Sequence, residues 1–494
     1  MNSVELEGAA TKRQNPQQDN ANQKLVGHMG VLQLAFTVIA YNAPIVVFVG
    51  YLPAVILLGN GVGTPAALLA CGVVVCLLVS GILLLARRID SPGGFYSFVA
   101  AGLGKEMGLG AGFAALTCYY AAMLGGYALG GIAMNSLVHD VFNGPNIHWW
   151  VFTIVILGFA SVIGYFNIDV SAKVLTCFLA LEVGLIAWYD IAVIAHQGLA
   201  AFKLNSFDPS NVWSGSIGIA VLFGVGCYGG FEATVVFRNE VRDPVKTVRR
   251  ATYLVIACVG FLYAFTSWMF INSYGGNAIL AAVGADPTGA ATSSVEKYAG
   301  HVAFDIVTLL TVTGSFALIV AAHNISARYL FNLSADGVLP RVLSEVHHKH
   351  RSPARASVGI SLLSATGILV LILSNSNPSY LYAKLAGTYA YTAIILLLLV
   401  AIAIVAYVVR TYGTVDDGST GTAQAIGSTI AAVVMVWALW IGSKHFDLLT
   451  GATGTAAVIM FIVIWGMLAA GIVTAVVLRK SRPETYERIG RQEG

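Results

Sequence analysis

The sequence predicts an all-α integral membrane protein with 12 transmembrane helices, and three observations carry that expectation. The 494 residues are 57% hydrophobic and only 10% charged, whereas an ordinary soluble domain is about 25% charged. The apolar residues gather into stretches of about twenty, the length that crosses a bilayer at 1.5 Å of rise per residue. Lys and Arg alternate with these stretches so that one side of a membrane receives nearly all of them.

Taken in order, the polar opening 1–24, with Gln14, Gln17 and Gln18, lacks the apolar run of a cleavable signal peptide and reads as a disordered cytoplasmic tail. Spans are expected over 30–58, 66–87, 108–138, 149–166, 171–196, 214–238, 249–273, 303–333, 355–373, 380–409, 424–442 and 455–478, followed by a second tail over 479–494. With residue 1 inside, 23 of the 27 Lys and Arg flank the cytoplasmic side, and only Lys203, Lys297, Lys384 and Lys444 lie outside or near an outer helix end. An odd number of spans destroys this separation. Both termini are therefore expected in the cytoplasm and the protein in the plasma membrane.

Several familiar signals lose their usual meaning in this setting. The net charge of +3 is the bias of the inner loops and implies no nucleic acid. Cys71, Cys76, Cys118, Cys177, Cys227 and Cys258 all fall inside expected spans, where they read as packing residues rather than disulfides or metal ligands. Gly224-x-Gly226-x-x-Gly229 spells a dinucleotide fingerprint, but that motif works only between a strand and a helix. His347, His348 and His350 share a basic loop with Lys349 and Arg351, a composition suited to solvent or lipid headgroups. Gly125-Gly126 and Gly130-Gly131 are expected to let the third helix pack closely. No cofactor, metal or enzymatic activity is expected, because no loop is long enough for a catalytic domain.

Two spans are interrupted at their middle. The first contains Ala40-Tyr41-Asn42-Ala43-Pro44, and the sixth contains Gly226-Cys227-Tyr228-Gly229-Gly230-Phe231-Glu232. Each break frees backbone N–H and C=O groups at bilayer depth, tolerable only where protein, a cavity or a solute satisfies them. Paired breaks in two halves of a chain are the best sequence pointer to a secondary transporter's substrate site. A channel requires a continuous polar pore and a receptor a soluble sensing domain, and neither is visible.

Three stretches together resemble the amino acid–polyamine–organocation (APC) superfamily of transporters. They are Gly229-Gly230-Phe231-Glu232 with Asn239-Glu240-Val241-Arg242-Asp243-Pro244; Ala327-Arg328-Tyr329 through Ala335-Asp336-Gly337-Val338-Leu339-Pro340-Arg341 to Ser352-Pro353-Ala354; and Ser91-Pro92-Gly93-Gly94-Phe95-Tyr96 entering the third helix. The resemblance implies a 5+5 inverted repeat, 25–196 and 214–409, with broken helices 1 and 6 opening the two repeats and two extra C-terminal helices over 424–478. It implies a substrate held among helices 1, 3, 6, 8 and 10. One departure is informative. Amino acid carriers of the superfamily usually break the first helix with Gly and Ser, whereas this chain has Tyr41-Asn42-Ala43-Pro44. Pro44 lacks an N–H, and the pattern looks more like some amine and polyamine importers.

The expected substrate-binding residues are Tyr41, Asn42, Ala43, Pro44, Tyr119, Tyr228, Gly229, Gly230, Glu232 and Tyr391. Charges inside spans are functional candidates by default. Glu232 follows the sixth-helix break, where it can meet a substrate ammonium or simply cap freed amides. Glu182, mid-way along the fifth span, aligns with a lysine that replaces a sodium ion in some relatives. A carboxyl that is neutral with a proton and charged without one makes Glu182 a proton-coupling candidate; a hydrogen-bonded core acid is the alternative. Asp190, Asp305 and Lys384 lie nearer the outer surface and are expected to meet water. His323 and Asn324 lie deep in the eighth span, either as core residues or in ion coupling. The leading expectation is a proton-coupled importer of a small amino acid or related amine, with an amine/polyamine transporter or an exchanger without ion coupling as alternatives.

Overall fold

The computed structural model describes residues 29–490 except 90–93, 167–171, 237–240, 242, 348–351, 412–417 and 453. The N-terminal tail, Ser91-Pro92-Gly93, most of the 239–242 stretch and His348–Arg351 therefore lie outside the described residues. Among those described the chain is helical throughout, apart from loops and one isolated parallel bridge between Met29 and Val241.

The first apolar stretch folds as α1 (Val31–Tyr41), α2 (Pro44–Val46), a π-helical turn over Val47–Tyr51, and α3 (Leu52–Leu58). It bends by 44° at the break. Ala43 sits there at φ 45° and ψ 73°, a left-handed conformation that costs a non-glycine residue roughly 1–2 kcal/mol. Pro44 takes the first helical position, where a missing N–H has no intrahelical partner to lose. Then come α4 (Thr64–Arg88), α5 (Phe95–Leu103), α6 (Lys105–Ser136), α7 (Trp149–Phe166), α8 (Ala172–Gln197) and a short α9 (Pro209–Val212). The sixth apolar stretch is α10 (Ile217–Gly226), a non-helical turn over 227–232, and α11 (Ala233–Val236). The remainder is α12 (Pro244–Ser273), α13 (Ala278–Ala285), α14 (Gly289–Ala299), α15 (His301–Ala335), α16 (Ala354–Leu373), α17 (Pro378–Thr411), α18 (Gly418–Lys444), α19 (Phe446–Thr450), α20 (Thr455–Ser481) and α21 (Pro483–Arg488).

Ten helices among the described residues are long and apolar enough to cross a membrane, besides the bent α1–α3 stretch and the shorter apolar α10. Helix limits lie within a few residues of expectation where the apolar run is continuous, as in α7. Phe95 and Tyr96 do not enter the third helix. They begin a separate α5, because Gly104 at φ 98° turns the chain before α6. The 275–300 segment, expected as a loop, contains α13 and α14. These cover the neighbouring helix ends: the Tyr189 hydroxyl lies 2.8 Å from Ser294 Oγ of α14 and donates to Ser273 Oγ at 3.2 Å. The expectation for Asp190 is also corrected: it is only 4% exposed and accepts a hydrogen bond from the Thr266 hydroxyl of α12 at 2.9 Å. Asp305 and Lys384 are half-buried.

Small residues set the helix spacing, since close backbone approach replaces hydrophobic drive within a bilayer. A Cβ on Gly126 would lie 2.9 Å from Ile319 Cγ1 of α15, and one on Gly131 would strike Thr153 Oγ1 and lie 2.6 Å from the Trp149 carbonyl of α7. All six cysteines are free. The buried core runs between α1–α3, α8, α10 and α12 on one side and α4–α6, α15 and α17 on the other.

Candidate functional site

The two breaks meet. The Asn42 side-chain amide donates to the Cys227 carbonyl at 3.3 Å, tying the end of α1 to the turn after α10. Within that turn Gly230 adopts φ 97°, outside the range of ordinary side chains. Its N–H donates to Glu232 Oε2 at 2.8 Å, while the Tyr119 hydroxyl of α6 donates to Glu232 Oε1 at 3.2 Å. Glu232 is thus a cap on the broken helix and an acceptor facing a cavity at once.

That cavity measures about 340 Å³ and is lined by the break between α1 and α2, the π-helical turn after it, α5, α6, the turn between α10 and α11, α15 and α17. It is large enough for a compact solute. Its wall is mostly apolar, with Leu318, Ala322, Leu385 and the tyrosines Tyr51, Tyr119, Tyr329, Tyr382 and Tyr389. The polar groups are few: Asn42, Asn324, Asn332, the carboxylate of Glu232 and the guanidinium of Arg328. No other carboxylate or cationic side chain among the described residues lines it. The Tyr51 hydroxyl is buried without a hydrogen-bond partner, a polar group left open on an apolar wall. Tyr51 also packs against Phe223 and Tyr389 at ring separations of 5.3 and 6.4 Å. From the breaks the cavity extends toward Gly94 and Phe95 of α5 and toward Arg328 and Asn332 near the end of α15.

Of the residues expected at the site, Asn42, Tyr119, Gly229, Gly230 and Glu232 line the cavity. The Tyr41 side chain lies outside the described residues. Ala43 and Pro44 are buried behind the break and shape it without lining the cavity. Tyr228 points away and donates its hydroxyl to the Leu68 carbonyl of α4 at 2.8 Å. Tyr391 also stands outside the cavity, with its oxygen 2.7 Å from Ser443 Oγ and accepting from Trp465 Nε1 at 3.1 Å. Two residues along an α-helix are about 200° of rotation, so the tyrosine that reaches the cavity from α17 is Tyr389. Sequence reading missed Tyr51, Tyr329, Tyr382, Tyr389, Arg328 and Asn332. Arg328 and Tyr329 stood inside the motif that carried the family resemblance, and that was the available signal.

Glu182 is buried at the junction of α8, α2 and α15. Its Oε2 accepts the Ile45 backbone N–H at 3.3 Å, and a Cβ on Gly314 of α15 would lie 3.2 Å from Oε1. One of the amides freed at the start of α2 is therefore held by an acid of the fifth span. His323 is buried, with Nε2 2.8 Å from Ser357 Oγ and Nδ1 without a partner. Its neighbour Asn324 faces the cavity.

An all-helical membrane bundle whose broken helices meet beside a solute-sized cavity defines the carrier class of architecture. Within that class, the sequence profile of the amino acid permease family matches residues 31–468, and the chain belongs to that family. It is a multi-pass membrane protein of the APC superfamily. Among curated relatives it is similar to the large neutral amino acids transporter small subunit 2 of Mus musculus, 27% identical over 195 residues, covering 37% of this chain and 35% of that one. The human protein of the same name is 26% identical over 211 residues, 41% of this chain and 37% of that one. A probable GABA permease of Pseudomonas aeruginosa is 24% identical over 355 residues, 69% of this chain and 71% of that protein. The match spans little more than a third of the length of the large-neutral-amino-acid relatives.

Proposed function

We propose that the protein is a secondary active importer of a small amino acid, bound in the cavity between the broken helices and moved by alternating access. The observation that carries this reading is the cavity's charge pattern. It offers one carboxylate, Glu232, and one guanidinium, Arg328, on a wall of aromatic and aliphatic groups, which suits a zwitterion with a modest apolar side chain. The names of the relatives, which speak of large neutral amino acids and of GABA, favour an amino acid over a polyamine and do not bear on its size. Purified protein reconstituted in proteoliposomes is expected to take up labelled neutral amino acids or GABA in preference to putrescine and spermidine. Preference for the polyamines, or uptake only when the vesicles are preloaded with solute, supports the amine or exchanger alternative instead.

Twelve spans in a 5+5 repeat, cytoplasmic termini and a plasma-membrane location complete the proposal. The support is the Lys and Arg asymmetry and the placement of the two breaks. In that orientation the cavity extends inward, and the packed rings of Tyr51, Phe223 and Tyr389 close its outer end. Asn277 then lies outside. A cysteine placed there, on a cysteine-free background, is expected to react with an impermeant maleimide on intact cells; reaction only after permeabilisation reverses the topology.

The proposed coupling ion is the proton and its carrier Glu182. Support comes from the contact of its carboxylate with Ile45, the second residue of α2. Loss or gain of a proton there changes the charge held against the start of the broken helix, which is the element that alternating access must move.

A further inference from the structure

Beyond α20 the chain folds back across the end of the bundle. Arg482 leaves the helical range at φ −143° and ψ 73°, and Pro483, which lacks an N–H and cannot continue the helix, opens the separate α21. Its 6 residues are too few to hold a helix alone. The position of α21 therefore depends on what it touches.

It touches α5, α6 and α15 together. Lys105, the first residue of α6, donates to the Glu487 carboxylate at 2.8 Å and to the Glu487 carbonyl at 3.1 Å, and its ammonium stands 5.0 Å from the centre of the Tyr486 ring. Glu106 Oε1 accepts from the Tyr486 hydroxyl at 2.8 Å and from Arg479, near the end of α20, at 3.3 Å. The Gly490 N–H donates at 2.9 Å to the hydroxyl of Tyr96, in the first turn of α5. Ile489 is buried in a cluster with Tyr96, Leu109 of α6 and Leu333 of α15. A Cβ on Gly337, just past α15, would lie 3.3 Å from Thr485 Oγ1.

The same helices line the solute cavity, and α21 lies at the end toward which that cavity extends. Phe95 lines it beside Tyr96, and Arg328, Tyr329 and Asn332 line it in the turns of α15 that lead to Leu333. The ties are of a kind that lets go. Glu487 and Arg479 are exposed, ion pairs at a surface hold weakly, and α21 buries no residue of its own before Ile489. A carrier that alternates access must move its helices against one another at this end. We propose that residues 483–490 form a strap that closes across α5, α6 and α15 in the conformation whose cavity extends toward it, and that must detach for the cavity to open to the other side. The strap rests on the transport reading above.

The test locks the strap in place. On a cysteine-free background, Lys105→Cys/Glu487→Cys is joined by a short bis-methanethiosulfonate, and uptake by proteoliposomes of the full chain is measured before and after reduction with dithiothreitol. Locking is expected to lower initial uptake about tenfold, and reduction to restore it. Each single variant, treated with the same reagent, should transport as before. Ile489→Asn loosens the strap instead, and amide hydrogen exchange over α5 is expected to quicken about tenfold while exchange over α8 stays as in wild type. If wild type takes up no amino acid, the transport reading fails and exchange alone decides: locking must then slow exchange over α5 and Ile489→Asn must quicken it. Uptake by the locked protein equal to that of the single variants, or exchange over α5 indifferent to both changes, overturns the inference.

Discussion

Glu182→Gln is expected to abolish proton-driven accumulation while leaving solute binding and downhill flux in place. The amide has the shape of the protonated acid and carries no exchangeable charge, so it still faces Ile45 but cannot cycle. The size of the effect follows from the gradient. Between pH 5.5 outside and 7.5 inside, two units correspond to about 2.7 kcal/mol per proton, and one proton per solute can therefore sustain up to about hundredfold accumulation. In the variant the internal concentration should only equal the external one. Glu232→Gln should behave differently, because its carboxylate caps Gly230, accepts from Tyr119 and faces the solute cavity. Its loss should weaken binding at every pH. Uptake at pH 5.5 and 7.5, with each variant beside wild type, distinguishes the two roles; pH-dependent accumulation undiminished in Glu182→Gln removes that residue from coupling.

Gly229→Leu is expected to stop transport in a protein that still reaches the membrane. A Cβ at this position already strikes the Tyr389 hydroxyl and lies 3.2 Å from the Gly226 carbonyl. The larger side chain has only the cavity to enter. Overpacking of this kind costs about 1–3 kcal/mol, which lowers the population of the transporting conformation by roughly five- to 160-fold before the lost volume is counted. Surface biotinylation checks arrival at the membrane and initial uptake rates check function; normal kinetics in a correctly delivered variant would show that the break does not carry solute.

The sequence made the long helices and both breaks legible because each rests on a one-dimensional signal. An apolar run has a length, and Gly229-Gly230 or Ala43-Pro44 interrupts it. Glu232 and Tyr119 were readable at the cavity for a related reason, since both flank or face a break. What a run of apolar residues does not encode is which side of a helix points inward. In α17 every turn is apolar, and Tyr389 and Tyr391 differ only in rotation, so the choice between them depends on α10 and on Ser443 and Trp465 of other helices. Tyr228 is the same case, drawn away by the Leu68 carbonyl. Short helices were lost where a glycine redirects the chain, as at Gly104 before α6. Asp190 was misplaced because its burial and its hydrogen bond depend on α12, where Thr266 lies 76 positions further along. The contact of Glu182 with Ile45 spans 137 positions, and only the folded bundle brings it about.

A proton gradient is proposed to drive an amino acid through the cavity between α1–α3 and α10–α11. Proteoliposomes containing the purified protein, with an inward proton gradient, no sodium and an external labelled neutral amino acid, test it in one assay. The predicted result is an internal concentration that rises severalfold above the external one and collapses to equality when a protonophore is added. Accumulation that requires sodium, or uptake that never exceeds equality with the gradient intact, contradicts the claim.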